Sequence, residues 1–215
     1  MPVAIKFCGL TRADDAAHAV SLGAAYLGVI FAGGPRMLDE RRAQETLAPA
    51  RGTAARAIGV FGAQSPDDIA RTAERTGLEV IQLHADPTAE EIRRVKRLTG
   101  CDVWAVARIE GAAPPTTIDV LFDAADGVLL DSRVRGALGG SGRTFDWTAV
   151  AGYIAAMRDA RHVILAGGLT PHNVEEGIRA LHPDVVDVSS GVEARVGEKD
   201  HALMTAFARA AWSPS

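Results

Sequence analysis

The sequence predicts an α/β fold, a single closed (β/α)8 TIM barrel over residues 1–215. Three observations carry that prediction. Apolar runs of about five to seven residues alternate with amphipathic stretches of about ten to twelve, the pattern of repeated βα units around a parallel sheet. Eight such units fit within 215 residues, a length that one barrel domain occupies, and an eight-stranded parallel sheet loses its edges by closing. No glycine-rich dinucleotide fingerprint follows the first strand, where an open doubly wound sheet would carry it.

The first strand is the run from Ala4 to a thiol at Cys8, followed by Gly9, Leu10 and Thr11. Thr11 is read as the cap of a helix from about residue 12 to 22 that Gly23 stops. A second strand at 26–31 leads into Gly33-Gly34-Pro35-Arg36, a charged helix at about 39–47 and a third strand at 57–61. Ser65-Pro66 caps and opens the third helix, and Gly77 ends it. After a fourth strand at 80–84, Thr88 with Glu91 three residues on is a capping box for a helix running to about Thr99. The fifth strand is 103–108, and a loop through Pro114-Pro115 precedes a short helical segment. The sixth strand, 127–131, enters a glycine-rich loop at 136–142, and a helix begins near Trp147. The seventh strand is 163–168, Thr170-Pro171 opens the seventh helix, the eighth strand is 185–191, and an amphipathic helix closes the chain at about 201–211.

Composition excludes several classes. The net charge is −4, and twenty of the 23 basic residues are arginines scattered without a basic block, which argues against a nucleic-acid surface. No apolar run approaches the roughly 20 residues of a membrane span, and the amino terminus lacks a signal-like core, so a cytoplasmic protein is expected. Cys8 and Cys101 provide neither a disulfide framework nor zinc spacing, so both are expected to be free thiols.

Barrel polarity sorts the remaining polar residues, because those at carboxyl strand ends lie on the catalytic face. Cys8, Arg36, His84, Arg108, Asp131, Gly168 and Ser189 fall there, and Cys101 falls on the opposite face. Alone, Cys8 reads as a small buried apolar residue. Its neighbours change that. Lys6 shares its strand face, and a cation there is expected to favour the thiolate relative to the free value of about 8.5. An inward ammonium needs a partner, and closure of strand one on strand eight nominates Asp187. Asp131 could be a cap or turn residue, yet it ends a run too apolar for the surface and stands before a loop able to cover a substrate. Glycines at Gly140, Gly142, Gly167, Gly168 and Gly191, with Ser189 and Ser190, follow or end strands six to eight, where barrels hold phosphates. Arg36 suits a carboxylate, and Gln82 and His84 share an inward face. The six histidines show no paired spacing, so no metal site is expected.

These residues resemble phosphoribosylanthranilate isomerase of tryptophan biosynthesis along nearly the whole chain. The likeness is carried by Lys6-Phe7-Cys8-Gly9-Leu10-Thr11, Pro35-Arg36, Gln82-Leu83-His84, Leu129-Leu130-Asp131, the stretch from Gly139 to Trp147, Leu165-Ala166-Gly167-Gly168-Leu169-Thr170-Pro171 and the stretch from Asp187 to Glu193. The resemblance implies an Amadori rearrangement of N-(5-phosphoribosyl)anthranilate, with no cofactor and no metal. It implies Asp131 as general acid at the furanose oxygen, Cys8 as general base at the sugar C2, Arg36 at the anthranilate carboxylate and loops seven and eight as the phosphate site. The expected partner is a small phosphosugar, and the expected assembly a monomer or homodimer. Two rivals stand beside this reading: a Schiff-base lyase using Lys6, and a phosphate-binding module without turnover.

Overall fold

Alternation of side chains along eight short strands decides the architecture. The computed structural model of the protein describes residues 2–111, 113–132, 145–156 and 162–212. The barrel strands are β1 (Ala4–Phe7), β2 (Tyr26–Ile30), β3 (Arg56–Phe61), β4 (Val80–Leu83), β5 (Asp102–Ile109), β6 (Gly127–Ser132), β7 (His162–Leu165) and β8 (Val185–Val188). Each pairs in parallel with the next, and β1 pairs with β8, so the sheet closes in chain order. Around it lie α1 (Ala13–Ser21), α2 (Glu40–Leu47), α3 (Pro66–Thr76), α4 (Ala89–Thr99), α5 (Ile118–Ala124), α6 (Trp147–Ala156), α7 (Val174–Leu181) and α8 (His201–Trp212).

Two apolar layers result. Ile58, Val80, Trp104, Val106, Leu129, Ile164 and Val185 fill the barrel interior. Alternate residues such as Phe7, Leu27, Ile81, Val103, Leu130 and Val186 pack outward under the helices. Trp104 meets Tyr26 edge-on, with ring centroids 4.8 Å apart, near the amino ends of their strands. That packs the lower barrel and leaves the carboxyl ends for a site.

Local signals hold at the ends of α3 and at the start of α4. Ser65 accepts the Asp68 N–H, Thr88 and Glu91 form both halves of the capping box, and Gly77 adopts a left-handed cap at φ 69°. Three expectations need correction. Thr11 does not cap α1: its hydroxyl donates to the Gly197 carbonyl, and Arg12 holds the cap position without a side-chain bond. Thr170-Pro171 opens a turn rather than α7, because Asn173 Oδ1 takes the Thr170 N–H at 2.8 Å and the helix starts at Val174. The last two barrel strands are shorter than read. Beyond β8, Ser190–Val192 form a 3₁₀ turn in which Gly191 presses on Leu169, where a Cβ would fall 1.9 Å from the carbonyl oxygen. A hairpin the sequence reading did not anticipate follows, β9 (Glu193–Arg195) with β10 (Glu198–Lys199), turning at Gly197 with φ 81°. Among the described residues, no helix is long and apolar enough to cross a membrane.

Candidate active site

The carboxyl ends of the strands open on a cavity of about 350 Å³. Cys8, Arg36, Gln82, His84, Asp131, Gly167, Gly168, Ser189, Ser190 and Gly191 all line it, as does Asp187. Gly140 and Gly142 lie outside the described residues.

Cys8 follows β1 directly, and its N–H donates to the Val188 carbonyl at 2.9 Å, which ties the thiol to the β1–β8 seam. Gly28 on β2 makes room for it, since a Cβ there would lie 3.1 Å from the sulfur. Parallel register sets Lys6 opposite Asp187, and Lys6 Nζ donates to Asp187 Oδ2 at 2.8 Å, as expected from closure. Burial lowers the Lys6 pKa, but the Asp187 charge and hydrogen bond prevail and hold it above the ordinary value. For Cys8 the expectation reverses. Burial pushes the thiol up, and the Lys6 ammonium pulls against it without prevailing, so the thiol form is favoured.

Asp131 closes the inward face of β6 and is only 7% exposed. Burial, helped by the Asp187 charge, pushes its carboxyl up to about 6, while Arg108 opposes. An acid at that value can hold and deliver a proton near neutral pH. His84 Nε2 sits 4.0 Å from Asp131 Oδ2, too far for a hydrogen bond. Burial, with the nearby charges of Arg108 and Lys6, lowers the His84 pKa to about 4, so the ring is neutral at pH 7. Gln82 Nε2 stands 3.4 Å from His84 Nδ1, and Gln82 Oε1 is buried without a partner among the described residues. Arg108 is anchored away from the cavity, bonding the His84 carbonyl and Asp86 Oδ1.

Gly167 and Gly168 both adopt left-handed backbone, at φ 82° and 69°, which lets loop seven turn along the cavity wall. A Cβ on Gly167 would lie 2.7 Å from Asp131 Oδ1 and 2.6 Å from the Ser132 nitrogen. The loop therefore seats the acid as well as lining the pocket. Arg36, in the loop after β2, forks onto Glu193 through Nε at 2.7 Å and Nη2 at 2.6 Å. Glu193 and Lys199 beneath it were missed from sequence. Two signals were present: Glu193 ends the Asp187-to-Glu193 stretch that carries the resemblance, though no role was read for it, and Lys199 is one of three lysines in the chain. Among the described residues no three His, Cys, Asp or Glu side chains are grouped so as to hold a metal ion.

A family model described as N-(5'phosphoribosyl)anthranilate (PRA) isomerase matches residues 5–210. The N-(5'-phosphoribosyl)anthranilate isomerase of Ralstonia nicotianae is 39% identical over 211 residues, 96% of this chain and 91% of that protein. The crystal structure of phosphoribosyl anthranilate isomerase from Thermus thermophilus aligns with a TM-score of 0.83 at 33% identity, over 97% of this chain and 98% of that one. A phosphoribosyl anthranilate isomerase in complex with reduced 1-(o-carboxyphenylamino)-1-deoxyribulose 5-phosphate aligns with a TM-score of 0.82 at 28% identity, over 97% and 98%. Matched from β1 into α8 by one family model, the chain belongs to the N-(5'-phosphoribosyl)anthranilate isomerase family of enzymes.

Proposed function

We propose that this chain converts N-(5-phosphoribosyl)anthranilate to 1-(2-carboxyphenylamino)-1-deoxyribulose 5-phosphate in tryptophan biosynthesis, with Asp131 as general acid and Cys8 as general base. The observation that carries the reading is that a carboxyl raised to about 6 and a buried thiol line one cavity at one barrel mouth. Asp131 gives its proton to the furanose oxygen as the C1–O bond breaks, and the anthranilate nitrogen lone pair forms a C1 iminium. The iminium withdraws electrons from C2, and Cys8 as thiolate takes the C2 proton to leave an enolamine. Loss of the hydroxyl proton and protonation at C1 then give the ketone. A cationic iminium beside Cys8 favours the thiolate, which offsets the burial that favours its thiol form. Bonds rearrange only within the substrate, and protons are all that it exchanges with the protein and solvent.

Arg36 takes the ring carboxylate through its remaining donors, and the glycines of loop seven with Ser189, Ser190 and Gly191 take the phosphate. Binding of a reduced aminodeoxyribulose phosphate by the aligned relative supports this ligand class. The lyase alternative is disfavoured because Lys6 is buried, paired and held protonated, so it has no free lone pair to attack a carbonyl. The test is loss of phosphoribosylanthranilate fluorescence with purified protein and no added metal. Consumption with appearance of the ketose product supports the reading, and an unchanged trace at micromolar enzyme would sink it.

A further inference from the structure

Arg36 is engaged by a carboxylate of its own chain. Its fork onto Glu193 uses Nε and one Nη2 hydrogen, at 2.7 and 2.6 Å. Of five guanidinium donors, three remain, and the Nη1–Nη2 edge still offers two parallel N–H groups to a residue lining the cavity. With Glu193 alone, however, the guanidinium is electrically balanced, and a second carboxylate gains little. Lys199 on β10 changes that balance. Its side chain is fully buried, and its Nζ lies 3.1 Å from Glu193 Oε1 and 3.0 Å from the Ser189 carbonyl. Arg36, Glu193 and Lys199 together carry one net positive charge. Gly9 fixes the seat, since a Cβ there would fall 2.8 Å from Arg36 Cδ and 2.9 Å from Ser189 Oγ.

We propose that Lys199 is a positioning residue whose charge, passed through the shared Glu193, keeps Arg36 net positive toward a ring carboxylate and so sets the preference for a carboxylated aryl amine. The inference rests on the assignment of Arg36 to the substrate carboxylate. Neither Glu193 nor Lys199 lines the cavity, so each acts through Arg36 rather than on the ligand.

The measurement is the ratio of kcat/KM for N-(5-phosphoribosyl)anthranilate to that for N-(5-phosphoribosyl)aniline, which lacks the carboxylate. In Lys199→Met the ratio falls about tenfold through KM of the carboxylated substrate, the scale of one partly screened charge. Lys199→Arg keeps the ratio. The double variant Glu193→Gln with Lys199→Met returns the cluster to one net positive charge and recovers most of it. An unchanged ratio in Lys199→Met, equal losses on both substrates, or a double variant as impaired as the single one overturns the proposal. Should Lys199→Met fail to fold, the double variant, which removes the Glu193 carboxylate together with the Lys199 ammonium, and Lys199→Arg carry the test: ratios kept in both support it, and a ratio lost in the double variant overturns it. Arg36→Met separates the two levels. A ratio it leaves intact removes the carboxylate assignment itself, whereas a ratio that collapses there but not in Lys199→Met removes only the role of Lys199.

Discussion

Lys6 and Asp187 face each other across the seam where β1 meets β8, with their charged atoms 2.8 Å apart and the lysine wholly buried. Removing one partner of such a pair leaves the other charge stranded in a poor solvent, at a cost of about 3–5 kcal/mol. Lys6→Met should therefore lower the urea unfolding free energy by about that amount. Pairing it with Asp187→Leu should recover most of the loss, because no unpaired charge stays behind. A single variant within about 1 kcal/mol of the parent would contradict a paired, desolvated lysine.

Asp131 is predicted to cost the fold stability at neutral pH. Its folded value of about 6 lies above the ordinary 3.8, so the folded chain binds the proton more tightly than the unfolded one. Below about 3.8 both states are protonated and the group contributes nothing; above about 6 it costs about 3 kcal/mol. Asp131→Asn should thus be more stable than the parent at pH 7.5 and nearly equal to it at pH 3.5, by urea denaturation at both. A variant destabilised at pH 7.5 would mean that the carboxylate is better solvated than its burial implies.

Under the proposed roles, the same carboxyl is predicted to shape the rate. With Asp131 titrating near 6 and Cys8 pushed above the ordinary thiol value, the productive state, acid protonated and thiolate formed, is a minor species between the two limbs. The pH profile of kcat/KM should be a bell whose acid limb lies near pH 6, and that limb should vanish in the residual activity of Asp131→Asn. That variant should lose at least about a hundredfold in turnover with binding largely kept. An acid limb that persists in Asp131→Asn would assign it elsewhere.

Much of this cavity's lining was legible because strand alternation and barrel polarity are local rules applied repeatedly. Closure alone brought Lys6 to Asp187, and the last inward residue of each strand had to meet at one rim. What escaped were properties of depth and of distant contact. The pull of Lys6 on Cys8 was visible from their spacing, but the stronger push of burial depends on how completely the barrel encloses the thiol. The fork from Arg36 spans 157 residues to Glu193, and no motif spacing encodes such a meeting. Thr11 looked like a cap until the hairpin at Gly197 claimed its hydroxyl, and that hairpin is too short and too charged to show an apolar period.

Cys8 should be slow to alkylate despite its proposed role. It is 7% exposed, whereas Cys101, though burial pushes its thiol up as well, is only partly buried at the other end of the barrel and so open to the reagent. Limited iodoacetamide at pH 7.5 should label Cys101 first, by mass spectrometry, with activity retained, and inactivation should follow only the slower label at Cys8. Cys8→Ser should cut turnover at least about a hundredfold, because a hydroxyl is far too weak a base for the C2 proton. Near-normal turnover in Cys8→Ser would require another base in the cavity.

Two glycines with nearly the same φ should respond differently to alanine. Gly34 has φ 86° with open space where a Cβ would go, so Gly34→Ala carries only backbone strain, on the order of 1 kcal/mol. Gly167 has φ 82°, and its Cβ would fall 2.6 Å from the Ser132 nitrogen and 2.7 Å from Asp131 Oδ1. A backbone nitrogen cannot swing away as a side-chain tip can, so either loop seven lifts or the end of β6 moves. Gly167→Ala should therefore lose about 1–3 kcal/mol of stability and, beyond that, displace the proposed acid by enough to lower kcat at least about tenfold in the folded fraction. Thermal melts with steady-state kinetics on both variants decide it. Equal kcat in Gly34→Ala and Gly167→Ala would show that loop seven does not seat Asp131.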